Sequence, residues 1–171
     1  MIKYYKIHLL PTNEQKELMY KSFNAARFAY NWALKEQMTA IKIKGYPKHK
    51  FQLRKDFDML KNLEAPFVLE LSSKVTSQAV LDLCDDIEKN ISNNKPLPRF
   101  KSVHLAKKSF FHRGDKLYFT KDQVKLEKIG WVSLGEHNRI PIISEYINPR
   151  ITHEGNHFYL TVGCKLPDKK P

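Results

Sequence analysis

Hydrophobic and polar positions alternate over the first ten residues of the chain. Tyr5, Ile7 and Leu9 fall on one side of an extended segment, and Lys6 and His8 fall on the other. A period of two is typical of a β-strand. The pattern therefore predicts that the chain opens with a strand.

The period then changes to that of a helix. Thr12 and Gln15 have the spacing of a capping box, which marks a helix start. No helix-breaking residue follows before Gly45, so we expect a helix of about thirty residues. Two further helical segments are predicted, from Lys48 to Asn62 and from a cap at Ser72 or Ser73 to about Asn94.

Short extended runs separated by turn residues follow the third helix. These runs are Ser109–His112, Leu117–Thr120, Val124–Leu126, Trp131–Leu134, Glu145–His153 and a last alternating run from Phe158 to Cys164. Glu154, Gly155 and Asn156 separate the final two runs and predict a hairpin.

The order of these elements predicts the fold, because a lone N-terminal strand needs a sheet to join. We expect an α+β protein, in which a small antiparallel, OB-like β-barrel is interrupted after its first strand by three helices. The barrel would comprise residues 1–11 and 97–171, and the helical domain residues 12–96.

The charge of the chain suggests its partners. Thirty Lys and Arg residues against 18 Asp and Glu residues give a net charge of +12. A polyanionic partner is the first hypothesis, and a merely soluble basic protein is the alternative. No apolar stretch approaches the length of a membrane span, so we expect no membrane contact and a cytoplasmic location. Cys84 and Cys164 are expected to be core residues rather than zinc ligands.

One helical face combines polar groups within an otherwise apolar helix. On a helical wheel, Arg27 shares a narrow arc with Asn24, Asn31 and Lys35. Arg27 could pair with an acid of the third helix, for which the candidates are Asp82, Asp85 and Asp86. Alternatively, its guanidinium could grip phosphate or sugar oxygens.

The third helix carries Lys74, Thr76, Ser77 and Gln78 near its start. An amide and short polar groups at the leading end of a helix suit the edges of DNA bases. An ordinary solvated face is the alternative.

The connector between helices and strands is the most basic segment. The segment from Lys95 to Lys116 contains one acid, Asp115. It contains seven cations: Lys95, Arg99, Lys101, Lys107, Lys108, Arg113 and Lys116. Phe100, Phe110 and Phe111 lie among them, as expected where phosphates meet cations and bases stack on rings. No motif for catalysis or metal binding is present, so we predict no catalytic residue and no cofactor.

Five stretches resemble the N-terminal half of the TnpB family, the RNA-guided nucleases of insertion sequences related to compact type V CRISPR effectors. They are HLLPTNEQKELMYKSFNAARFAYNWAL, SSKVTSQAVLDL, LPRFK, EKIGWV and ITHEGNHFYLTVGCKL, in family order. The resemblance implies a wedge domain, the OB-like barrel, interrupted by a helical recognition domain. It also implies a guide RNA and a double-stranded target DNA carrying a short adjacent motif.

The resemblance assigns roles to the residues above. We expect contacts with the DNA motif from Lys74, Thr76, Ser77, Gln78, Arg54, His112 and Arg113. We expect contacts with RNA or backbone from Arg27, Asn31, Lys35, Arg99, Lys101, Lys107 and Lys108.

The chain departs from the family at LPDKKP, where a RuvC-like nuclease domain would begin. We expect this domain, with its Mg²⁺ and structural Zn²⁺, to be separate or deleted, so cleavage is not carried over. A stand-alone DNA- or RNA-binding regulator is the alternative function, and a complete small nuclease is a third.

Overall fold

The computed structural model describes residues 1–142 and 145–168. Its helices are α1 (Asn13–Lys44), α2 (Lys50–Leu63) and α3 (Ser73–Ser92). Its strands are β1 (Ile2–Leu10), β2 (Lys108–Phe111), β3 (Tyr118–Phe119), β4 (Gln123–Leu126), β5 (Gly130–Leu134), β6 (Glu145–Glu154) and β7 (His157–Lys165). The α+β class is confirmed, with one strand before the helices and the others after them.

All seven strands belong to one antiparallel sheet, in the order β2-β6-β7-β1-β5-β4-β3. The N-terminal strand lies in its centre. It pairs with β7 from Ile2 to Leu9, and with β5 at Leu9 and Leu10. The first strand thus joins a sheet made by the other end of the chain, as predicted.

The two outer strands of this sheet are β2 and β3, and no ladder joins them within the described residues. The ends of the sheet nevertheless approach each other through side chains. The rings of Phe119 on β3 and Tyr146 on β6 have centroids 5.0 Å apart. The sheet therefore curls towards a barrel without closing its hydrogen-bond ladder.

The predicted capping box forms at the start of α1. The backbone N–H of Thr12 donates to Gln15 Oε1 at 3.0 Å, and the N–H of Gln15 donates to Thr12 Oγ1 at 3.2 Å. Gln15 Nε2 also donates to the carbonyl of Trp131 on β5, at 2.7 Å. One side chain thus caps the helix and ties it to the sheet.

The predicted hairpin joins β6 to β7. Glu154 pairs with His157, so Gly155 and Asn156 form a two-residue turn. Gly155 has φ +60°, in the left-handed region that such turns require.

The chain divides into two compact units. One comprises Met1–Lys21 and Lys107–Pro171 and contains the sheet; the other, Ser22–Ala106, contains the helices. The two units meet in the chain at residues 21 and 106, whereas the domain limits predicted from the sequence lie at residues 11 and 96. The first turns of α1 therefore group with the sheet, and the part of the connector up to residue 106 groups with the helices.

Each unit has its own apolar core. In the helical unit the buried ring of Phe57 packs edge-to-face against Trp32, with centroids 5.3 Å apart. In the sheet unit Ile7, Leu160 and Ile151 are fully buried on three adjacent strands. Cys84 and Cys164 are free cysteines; Cys164 is buried in the core and Cys84 is half-buried.

Candidate nucleic-acid interface

The basic connector is held along α1 by one asparagine. Asn31 Nδ2 donates to the carbonyl of Lys101 at 2.9 Å, and the N–H of Lys101 donates to Asn31 Oδ1 at 2.8 Å. The side-chain amide thus pairs with a backbone as a strand neighbour would. Because both ends of the amide are engaged, Asn31 positions the connector, and its direct contact with nucleic acid stays a prediction.

Tyr30 forms the second half of this attachment. Its buried ring lies beneath the Lys101 ammonium, with Nζ 4.0 Å from the ring centroid. Its hydroxyl donates to Asp86 Oδ2 on α3 at 2.7 Å. Burial, and then the hydrogen bond to Asp86, raise the pKa of Tyr30. The phenol therefore stays protonated and keeps donating at neutral pH.

Arg27, one turn before Asn31, has no internal partner. It is half-buried, and no hydrogen bond or ion pair joins its side chain to the described residues. The acids that could have paired with it have other neighbours: Gln78 for Asp82, Lys50 for Asp85 and Tyr30 for Asp86. The internal-pairing alternative is therefore not observed, and the guanidinium remains available to an external ligand.

Four other predicted backbone contacts lie on the surface. Lys35 is exposed on α1, and Arg99 is exposed in the connector. Lys107 and Lys108 are exposed in the sheet unit, where Lys108 Nζ lies 6.0 Å from the ring centroid of Tyr20.

The residues at the start of α3 that are predicted to contact DNA differ in their exposure to solvent. Thr76 is 2 % exposed and packs on the apolar face of the helix with Ala79 and Val80, so its side chain is removed from the surface. Lys74, Ser77 and Gln78 are half-exposed. The burial of Thr76 therefore does not support its predicted contact with DNA.

Two of the residues predicted to contact the DNA motif, Gln78 and Arg54, also contact other side chains of the protein. Gln78 Nε2 donates to Asp82 Oδ1 one turn later, at 3.0 Å. On α2 the guanidinium of Arg54 lies 5.2 Å from the ring centroid of Phe51 and is half-exposed. Both side chains still reach the surface.

His112 is part of the core of the sheet unit. It is 1 % exposed, and its Nε2 accepts a hydrogen bond from the N–H of Glu127 at 2.8 Å. Its Nδ1 lies 2.7 Å from the carbonyl of Arg113, so Nδ1 carries the proton and the ring is neutral. Burial lowers the pKa of His112. The ring therefore holds one loop to another, and this role does not support the predicted contact of His112 with DNA.

Arg113 is also engaged internally. Its Nε and Nη2 donate to the two carboxylate oxygens of Asp115, at 2.9 and 2.6 Å. The paired guanidinium lowers the pKa of Asp115. The cation is therefore neutralised by its neighbour two residues away.

Sequence reasoning missed a group of rings on the sheet. Tyr4, His8, His157 and Tyr159 lie on β1 and β7, where the alternation that identified the strands gave them only solvent-facing positions. Since ring stacking depends on strand register, the sequence carried no signal for the group.

Among the described residues no group of three or more His, Cys, Asp or Glu side chains could hold a metal ion. Within the same residues, no helix has the length and apolar character needed to cross a bilayer.

The N-terminal segment matches a known family model. The helix-turn-helix domain model of the IS605 OrfB proteins matches residues 1–45, and no curated protein matches the chain. All 45 residues are described, and they contain β1 and the single uninterrupted helix α1 rather than two helices joined by a turn.

The match indicates a DNA-binding, transposon-associated protein. It also confirms the resemblance read from the sequence motifs, which begins within the same segment. Residues 1–45 are thus similar to the N-terminal region of proteins of the TnpB/IS605 OrfB transposase family.

Proposed function

We propose that this chain is the nucleic-acid-binding lobe of a TnpB-like RNA-guided DNA endonuclease, and that it binds a guide RNA and the DNA motif beside the target. In such a system base pairing by the guide selects the sequence, while the protein contacts backbone, shape and a short duplex motif. The sheet unit would be the wedge domain and the helical unit the recognition domain.

The attachment of the connector to α1 is the observation that carries this proposal. Asn31 fixes the backbone of Lys101 by two hydrogen bonds, and the ring of Tyr30 lies beneath the Lys101 ammonium. Arg99 is exposed in the same short segment. Arg27 and Lys35 lie on the same helix with no side-chain partner among the described residues. Fixed cations without internal partners are what a phosphate backbone requires.

We assign motif reading to the exposed part of the start of α3. Lys74 and Gln78 have the longest side chains of this group, and Ser77 lies beside them. Arg54 is a secondary candidate. A glutamine amide can hold adenine by two hydrogen bonds once it exchanges its internal partner Asp82 for the base. Replacing Gln78 by Ala is expected to relax motif choice, with a cost of about 1–3 kcal/mol on the preferred DNA.

The salt dependence of RNA binding tests the proposal. Titrations of the full chain with a structured guide-type RNA at several salt concentrations should give a steep fall in affinity. Arg27→Gln and Arg99→Gln should each reduce the slope of log K against log salt by about 0.7–0.9. Arg113→Gln is the matched control, because Asp115 already neutralises this arginine. A shallow slope in the wild-type chain, or equal slopes for all three variants, would contradict the proposal.

A stand-alone DNA- or RNA-binding regulator is the second candidate, favoured by the match to a helix-turn-helix domain model. Such a protein would use the same cations without a guide. Equal affinity for a family guide RNA and for an unrelated RNA of the same length would support this second candidate and count against the first.

A further inference from the structure

One face of the sheet carries rings and cations in register. The pairing of β1 with β7 places His8 directly opposite Tyr159 and Lys6 opposite Thr161. The intervening pair, Ile7 and Leu160, is fully buried. Because successive side chains of a strand point to opposite faces, His8, Tyr159 and Lys6 lie on the face that is not the core.

The side chains on this face contact one another. The rings of His8 and Tyr159 have centroids 5.4 Å apart, and those of His8 and His157 are 5.0 Å apart and edge-to-face. Lys6 Nζ lies 4.5 Å from the ring centroid of Tyr159 and 2.9 Å from Glu154 Oε2. The group is a packed cluster rather than a set of isolated surface residues.

Two glycines let rings lie close to the strands. A Cβ at Gly163 would stand 2.9 Å from Cε1 of Tyr4, the residue opposite it on β1. A Cβ at Gly135 would stand 3.0 Å from Nδ1 of His8. Tyr4 remains 61 % exposed despite this close approach. The strands thus carry no side chain at the points where the rings of Tyr4 and His8 pack, and the outer surface of Tyr4 stays exposed.

We propose that this ring face, defined as Tyr4, His8, His157 and Tyr159 with Lys6, stacks the unpaired bases of a single-stranded nucleic-acid segment. The inference rests on the proposed function and names the part of the sheet unit that serves it. Flat rings accept bases of any sequence, and Lys6 supplies a cation beside them once it exchanges its partner Glu154 for a phosphate. A duplex does not fit, because its bases are already stacked inside the helix.

Binding by matched variants of the full chain tests the proposal. Tyr159→Leu removes a stacking ring, and Tyr118→Leu removes an exposed tyrosine on β3, outside the ring face, as a control. Each is titrated with a single-stranded uridine oligoribonucleotide, the corresponding deoxyribonucleotide and a duplex. We expect Tyr159→Leu to weaken single-strand binding about 5- to 100-fold and to leave duplex binding unchanged. Tyr159→Phe, which keeps the ring, should bind like the wild type.

The two single-stranded oligonucleotides separate the possible sources of the ligand. A loss confined to the ribonucleotide identifies RNA, and equal losses identify a surface that accepts either strand. Equal behaviour of Tyr159→Leu and Tyr118→Leu on every ligand would overturn the proposal. A loss of self-association in Tyr159→Leu without any change in nucleic-acid binding would overturn it as well, in favour of a second copy of the chain as the occupant.

Photocrosslinking of the wild-type chain gives a readout that does not depend on how variants fold. A 5-iodouridine oligonucleotide is expected to crosslink to peptides containing residues 2–10 or 157–165. Crosslinks confined to residues 22–106, with Arg27 and Arg99 still required for binding, would overturn the ring face and leave the proposed function standing. Failure to bind any of the three nucleic acids would end both.

Discussion

The connector at residues 95–108 and the loop at residues 112–116 look alike in sequence, since both mix cations with rings. Their contacts differ. In the connector Asn31 and Tyr30 hold the chain at Lys101, and Arg99 stays exposed. In the loop the histidine is buried and Arg113 is neutralised by Asp115. A basic segment becomes a candidate interface where it keeps an exposed cation such as Arg99.

The largest expected effect tests the structural role of the loop. His112→Ala should lower the free energy of unfolding by about 3 kcal/mol, because it opens a cavity and leaves the N–H of Glu127 without an acceptor. Urea denaturation measures the change, with the exposed His137→Ala as control. A difference between the two variants below about 0.5 kcal/mol would refute the assignment of His112 to the core.

A smaller loss of stability tests the connector. Asn31→Ala removes both hydrogen bonds to Lys101 and should cost about 1–3 kcal/mol. The released connector should also bind RNA more weakly, which distinguishes this position from the loop. Asn24→Ala, on the same arc of α1 and exposed, is the control. Unchanged RNA affinity in Asn31→Ala would show that the attachment has no part in binding.

The pH dependence of stability follows from two histidines of the sheet unit. Burial lowers the pKa of His112, and burial together with Lys108 lowers the pKa of His153. Since the unfolded chain then binds more protons, stability is fully present above about pH 6.5 and falls as the pH drops below it.

Each of these histidines contributes a slope of at most about 1.4 kcal/mol per pH unit. Denaturation at pH 7.5, 6 and 5 measures the loss of stability as the pH falls. His112→Gln should reduce this loss but not abolish it, because His153 still contributes. An identical pH profile in His112→Gln would contradict the buried, neutral ring.

The smallest effect concerns the tyrosine of the connector. Tyr30→Phe keeps the ring beneath Lys101 but removes the hydrogen bond to Asp86, so we expect a loss of about 1 kcal/mol with RNA affinity retained. Tyr46→Phe, at an exposed site, should change neither quantity. A loss of RNA affinity in Tyr30→Phe would mean that the hydroxyl itself contacts the ligand.

Local patterns predicted most of the fold. The alternation around Ile7, the capping box at Thr12 and the turn at Gly155 depend on neighbours in sequence, and each appears in the structure. Even the burial of Thr76 could have been predicted, because it precedes Ala79 and Val80 by three and four positions on the helix. The contact between Phe119 and Tyr146, through which the sheet curls towards a barrel, joins distant strands and had no such local signal.

The candidate site was less predictable because its contacts span long distances in sequence. Asn31 bonds a residue 70 positions away, and Tyr30 bonds one 56 positions away. A helical wheel places Arg27 and Asn31 together. Only the fold shows that Asn31 is hydrogen-bonded to Lys101, whereas no hydrogen bond or ion pair joins Arg27 to the described residues. Composition likewise counts Arg113 among the cations without revealing that Asp115 neutralises it.

Gln15 shows how a tertiary neighbour can determine a choice that helix capping leaves open. Glutamate would serve the capping box as well as glutamine does, since a carboxylate oxygen can accept the N–H of Thr12. It could not donate to the carbonyl of Trp131, and its charge would face that oxygen instead. Glutamine rather than glutamate at this position is therefore explained by the strand that lies beside the first turn of the helix.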